Sequence, residues 1–303
     1  MTIFPNGNSV SISSLSGSHL IERKGTNRLS PPQRSWAWGN GYGLGLAGSM
    51  RSMPRPRDIL EKDHRPYPAP EGSWALSMRW HDLLFMHWPV PEDWLRPLVP
   101  PALELDTFDG SAWLGVVPFR MSGVRPRFMP RVPFLSDFPE INVRTYVTHG
   151  AKPGVWFFSL DAHNRLAVRL ARATFHLPYF DARMSCRNEN GWTYYESVRT
   201  HRGAPGANFA GRYRPTGEVF DSRPGSLESF LTERYCLYSA DAAGNVRRGD
   251  VHHVMWPLQS AEAEVGTLEM TAQVGVKLPD TEPVLHFARR LDVVAWPPKK
   301  VGG

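Results

Sequence analysis

Lysine is scarce in this chain. Only six of its 35 cationic side chains are lysines, at 24, 62, 152, 277, 299 and 300, so amine chemistry has few possible seats. Cysteine is scarcer. Cys186 and Cys236 stand fifty residues apart and form neither a CxxC pair nor a disulfide framework, which points to a reduced, cytoplasmic protein. No run approaches the roughly 18 consecutive apolar residues of a membrane span, and no cleavable signal pattern is present, so no membrane partner is expected. A GxSxG nucleophile elbow is missing, which removes the usual serine hydrolase signature. The 11 histidines include no HxH or HxxxH pair. His252 and His253 are adjacent and would face opposite sides of a strand, so no metal site is expected.

The net charge of +6 invites a nucleic-acid reading until it is located. Residues 1–70 hold nine Lys or Arg against four acids, leaving the other 233 residues at +1. A basic groove on the folded part is therefore not expected, nor is a nucleic-acid partner. Those first 70 residues are rich in Ser, Gly, Pro and Arg with no lasting apolar period, which reads as a disordered tail. Their composition also fits a transit peptide, and Met50 and Met53 offer later starts. The tail contains GLGLAG, Gly43–Gly48, a GxGxxG match. It lacks the preceding strand, and Pro54 and Pro56 forbid the following helix, so no dinucleotide or other cofactor is expected.

What is present begins at Trp74. Short aromatic and β-branched runs, among them LLFMHWPV, AWLGVVPF, NVRTYVTH, VWFFSLDA and TYYESVRT, alternate with Pro, Gly, Asp and Asn. This predicts a mostly β domain of antiparallel strands over residues 71–298, with a tail at 299–303. Helices are few. PEDWLRPLV places Glu92 and Asp93 in a first turn behind Pro91, and Pro97 ends it. SLESFLTER, with Ser226 as its cap, has the clearest helical spacing, whereas LAVRLARATF, residues 166–175, fits helix or strand.

Residues 138–147, FPEINVRTYV, alternate most cleanly. Glu140, Asn142, Arg144 and Tyr146 fall on one face and Ile141, Val143, Thr145 and Val147 on the other. The polar face could meet water, with an exposed Glu140–Arg144 pair worth little. In a closed barrel it could instead line a cavity, with Arg144 fixing an anionic ligand and Glu140 acting as acid or base. Period alone does not choose between these.

HWPV at 87–90, GSAWLGVVPFRM at 110–121, FPEINVRTYV, PGVWFFSLDA at 153–162, LPYFDARM at 177–184, LTERYCLY at 231–238 and VHHVMWPLQ at 251–259 occur in order. Together they resemble the YqjF-like, or DUF2071, family of bacterial proteins of unknown function, itself distantly similar to acetoacetate decarboxylase. The resemblance implies a mostly β (α+β), antiparallel, acetoacetate decarboxylase-like β-barrel with an enclosed cavity and few short helices. It also implies that the face bearing Glu140 points inward.

The decarboxylase works through a Schiff-base lysine in a Pro-Lys turn after an Arg-bearing helix, its amine activated by an apolar site and a neighbouring cation. The corresponding stretch here is ARATFHLPYF, with Arg172 in the helix position and Tyr179 where the lysine would stand. Schiff-base chemistry is thus not expected. The expectation is a small-molecule ligand in a cavity lined by Glu140, Asn142, Arg144, Tyr146, Arg172 and Tyr179. Glu140 and Tyr179 are the groups available for proton transfer, and a non-catalytic, ligand-binding or stress-related role uses the same cavity. A homo-oligomer is compatible with this expectation.

Overall fold

The computed structural model describes residues 62–132 and 135–301. The GLGLAG match and residues 1–61 of the predicted tail lie outside the described residues. Thirteen strands carry the fold: β1 (Leu76–Val90), β2 (Glu104–Leu105), β3 (Ala112–Pro126), β4 (Phe138–His149), β5 (Lys152–Ala162), β6 (Tyr179–Glu189) and β7 (Trp192–Arg199), followed by β8 (Asn208–Pro215), β9 (Cys236–Ala240), β10 (Val246–His252), β11 (Leu258–Leu268), β12 (Val284–Ala295) and β13 (Lys299–Lys300). Three α-helices accompany them: α1 (Glu92–Leu95), α2 (Arg165–Phe175) and α3 (Leu227–Thr232).

The strand pairings return on themselves. β12 pairs β1, β1 pairs β3, β3 pairs β4, β4 pairs β5, β5 pairs β9, β9 pairs β10, and β10 pairs β12 again at Val251 and His252. Strands of this seven-strand circuit contribute Leu83, Phe85, Val117, Phe119, Leu160, Val251, Ala288 and Val293 to one apolar cluster. A second cluster lies against the other face of β1, β3 and β4, where Leu84, Val116, Ile141 and Val143 meet Met184, Tyr195, Phe209 and Ala263 of β6, β7, β8 and β11. Strand β4 is consequently buried on both faces, a pattern that alternation in the sequence cannot distinguish from a half-exposed strand.

Several elements depart from expectation. The pairing β5–β6 is parallel, because α2 carries the chain back across the sheet between these strands, and β5–β9 is parallel as well, where the sequence predicts antiparallel strands. LAVRLARATF, which in sequence fits helix or strand, is helical and makes the longest helix among the described residues, capped by Asn164, whose side chain accepts from Leu166 N and Ala167 N. Ser226 caps α3 as expected, yet that helix runs only six residues.

Residues on either side of 71–298 also make contacts with the strands. The packed chain starts before residue 71: Arg65 donates to Val251 O at 2.7 Å, its guanidinium lies 4.6 Å from the Tyr235 ring centre, and Tyr67 is buried beside Tyr235 and Tyr238. Composition missed this because a single buried arginine and tyrosine anchor a segment otherwise rich in proline. At the other end, Lys299 and Lys300 pair with Arg248 and Arg247 as β13. Among the described residues no helix is long and apolar enough to cross a membrane.

Candidate functional site

Strand β4 brings Glu140, Asn142 and Arg144 to the face turned toward the circuit's apolar cluster. Their register partners on β3 are Phe119, Val117 and Gly115, and those on β5 include Ala162 for Glu140 and Leu160 for Asn142. Glu140 is 2 % exposed. Burial is the largest influence on its carboxyl and pushes its pKa up to about 8; the Tyr179 hydrogen bond partly offsets this, and nearby Asp161 adds to it. The Tyr179 hydroxyl donates to Glu140 Oε2 at 2.8 Å. A carboxyl with that pKa is mostly protonated at neutral pH, so its own proton belongs on the oxygen Tyr179 does not occupy. Burial, then the Glu140 charge, holds the Tyr179 phenol well above its ordinary pKa. From behind, the Tyr195 hydroxyl donates to the Glu140 backbone carbonyl at 2.6 Å and fixes the strand there.

Four residues along β4, about 13 Å away at strand rise, a second polar group forms. Arg144 Nη2 donates to the Tyr146 hydroxyl and to Leu231 O, both at 3.2 Å. The Tyr146 hydroxyl donates to Leu231 O at 2.8 Å and lies 2.7 Å from His87 Nε2. Since the phenol proton goes to Leu231 O, His87 Nε2–H donates to the phenol oxygen, which leaves His87 Nδ1 as an acceptor. Burial first, then Arg144 and His286, holds His87 well below the usual histidine pKa, so the ring is neutral. Gly115 makes room for this group: a Cβ there would lie 2.9 Å from His87 Cδ2 and 3.3 Å from Arg144 Cγ.

Glu140 and Arg144 therefore belong to separate centres and make no ion pair with each other. Among the buried atoms, His87 Nδ1, Asn142 Oδ1 and Arg144 Nε, and His286 Nδ1 on β12, have no hydrogen-bond partner among the described residues. Buried polar groups are nearly always partnered, so these four atoms retain unused hydrogen-bonding capacity.

Arg172 falls elsewhere. It is exposed on α2, donates to Tyr179 O at 2.7 Å, and lines an open groove of about 570 Å³ with Trp156, Phe157, His176 and Leu177. It supports the backbone of Tyr179 and does not reach Glu140's face. Among the described residues lysine is likewise absent from that face: Lys152 sits over the Tyr67 ring at 5.4 Å, and Lys62, Lys277, Lys299 and Lys300 are exposed. Sequence reasoning missed His87, Tyr195 and His286. The available signal for His87 was its alternation with Phe85 in LLFMHWPV, which puts both on one face.

The comparisons with known proteins agree with this architecture. The profile of the DUF2071 family, described as an uncharacterized conserved protein, matches residues 77–292. The chain is 44% identical over 231 residues to the uncharacterized protein YqjF of Bacillus subtilis (strain 168), covering 76% of this chain and 94% of that one. Among solved structures it resembles an acetoacetate decarboxylase-like enzyme from Sphingomonas wittichii RW1, with a TM-score of 0.52 and 14% identity over 79% of this chain and 98% of that one. It also resembles the enduracididine biosynthesis enzyme MppR complexed with pyruvate, with a TM-score of 0.53 and 10% identity over 77% and 93%. At such identities the two structures establish a shared fold alone. The chain belongs to the DUF2071 family, on an acetoacetate decarboxylase-like fold.

Proposed function

We propose that the chain binds a small carbonyl or carboxylate compound in a cavity enclosed by the seven-strand circuit, and that Glu140 transfers a proton to or from it. The observation that carries this reading is the buried, hydrogen-bonded Glu140 carboxyl with its pKa near 8, on a face where further polar atoms lack partners. A neutral acid in an apolar surround can donate to a carbonyl oxygen as charge develops there, and near pH 8 it can take a proton back. Arg144 supplies the positive charge for an anionic group, and the neutral His87 offers an acceptor. Among the described residues no lysine amine lies on this face from which an imine could form, so the chemistry proposed is acid–base. Neighbours described as a decarboxylase-like enzyme and as a pyruvate complex support carbonyl acids as the compound class by analogy of fold.

Turnover of a panel of β-keto acids and enolisable carbonyls, compared with Glu140→Gln, tests the reading. Loss of a general acid lowers turnover on the order of 10²–10⁴-fold, and the limb of the rate profile near pH 8 disappears. Ligand released from the native protein and identified by mass spectrometry gives the compound class directly. A bound ligand that no panel reaction consumes, and whose affinity still depends on Arg144, identifies a non-catalytic binding protein. A lysine adduct trapped by borohydride contradicts the acid–base scheme.

A further inference from the structure

Of the ten exposed large apolar side chains among the described residues, six fall in two segments: Phe128, Met129, Val132 and Leu135 after β3, and Leu166 and Leu170 on α2. Phe128 is 90 % exposed and Leu170 57 %. The segments touch. Asn164 Nδ2 donates to Leu135 O at 3.1 Å, while its Oδ1 caps the start of α2.

Helix α2 shows an unusual division of faces. Val168 is buried, with Ala167, Ala171 and Phe175 packed against the inner cluster. Leu166, Leu170 and Ala173 recur at helical spacing on the opposite side and are exposed, flanked by the exposed Arg165, Arg169 and Arg172. The other segment adds Arg125, Arg127 and Arg131. Together, residues 125–132, 135–137 and 163–176 hold six arginines against one acid, Asp137, which pairs with Arg131, in a domain whose residues 71–303 net only +1.

We infer that this surface docks on an anionic lipid membrane, with the outer face of α2 lying in the plane of the headgroups. Aliphatic side chains turned to solvent and rimmed by arginines match acyl chains beneath phosphates. A second copy docking through the same face would set a net excess of five positive charges against its like, six arginines less Asp137, which disfavours it electrostatically. Nucleic acid would call for stacking rings, and Phe128 is the single aromatic among the six exposed side chains. This is peripheral attachment and requires no membrane-spanning segment. It does not depend on the reading of Glu140.

Vesicle co-sedimentation of the full chain tests the inference. Vesicles of phosphatidylcholine and phosphatidylglycerol in equal parts should retain the protein, and phosphatidylcholine vesicles should not. Leu170→Glu and Phe128→Ser should each release it, and each arginine replaced at 165 and 169 should weaken partitioning about fivefold. All these side chains are exposed, so the thermal midpoint should stay unchanged and report intact folding. Retention unaffected by these substitutions would overturn the proposal, since residues 1–61 are also basic and could attract anionic lipid by themselves. So would failure to bind anionic vesicles, whether or not Leu170→Glu alters the mass of the protein in sedimentation or its binding to RNA.

Discussion

At the residue scale, the Glu140 carboxyl depends on two neighbours acting in opposite directions. The Tyr179 hydrogen bond favours its charged form and Asp161 disfavours it, both smaller influences than burial. Tyr179→Phe should therefore raise the Glu140 midpoint above about 8 rather than lower it. Carboxyl titration followed by carbon NMR checks the sign. Gly115→Ala should cost about 1–3 kcal/mol and loosen the His87–Tyr146 contact, because the new methyl lies within 3.0 Å of His87 Nε2. Chemical denaturation gives the cost, and the His87 ring resonances report the contact. Part of this chemistry was legible in the sequence. The alternation of FPEINVRTYV separates Glu140, Asn142, Arg144 and Tyr146 from their neighbours without structural help. The pairing of Tyr179 with Glu140, 39 positions apart, depends on a parallel contact between β5 and β6 that no local pattern encodes.

At the element scale, the central strands are held by long-range polar links as well as by packing. Arg199 on β7 grips Asp161 on β5 with Nη2 to Oδ1 at 2.5 Å and Nε to Oδ2 at 2.8 Å, and its guanidinium lies 4.1 Å from the Phe180 ring centre. Both side chains are almost wholly buried, so Arg199→Leu should destabilise by about 3–5 kcal/mol, and adding Asp161→Leu should recover part of the loss. A urea double-mutant cycle measures the coupling. The sequence announced short strands but not their order, since β5 meets β4, β6 and β9 at different points along its length. Likewise, LAVRLARATF reads equally as strand or helix until Asn164 caps its first turn.

At the scale of the whole molecule, opposed titrations shape stability. Glu140 has its pKa raised from 4.5 to about 8, so its contribution is full below pH 4.5 and is lost as pH rises toward 8. Burial lowers His253 from 6.5 to about 3, so its contribution is full above pH 6.5 and is lost as pH falls toward 3. Between pH 4.5 and 6.5 the two slopes oppose one another. Above pH 6.5 only the Glu140 slope remains of this pair, so Glu140→Gln should flatten the fall of the thermal midpoint between pH 6.5 and 8. The boundary near residue 71 makes a separate prediction. A chain begun at residue 71 should melt below one begun at residue 62, because it loses Arg65 from Val251 O and the buried Tyr67. The anchor at Arg65 is a tertiary contact, which composition does not encode.

The account turns on Glu140 being an inward, protonated carboxyl. Selective carbon-13 labelling of glutamate, with Glu140→Gln to assign the resonance, allows its titration to be followed directly. The account predicts a midpoint near 8. A midpoint near 4.5, the ordinary value for glutamate, would contradict it.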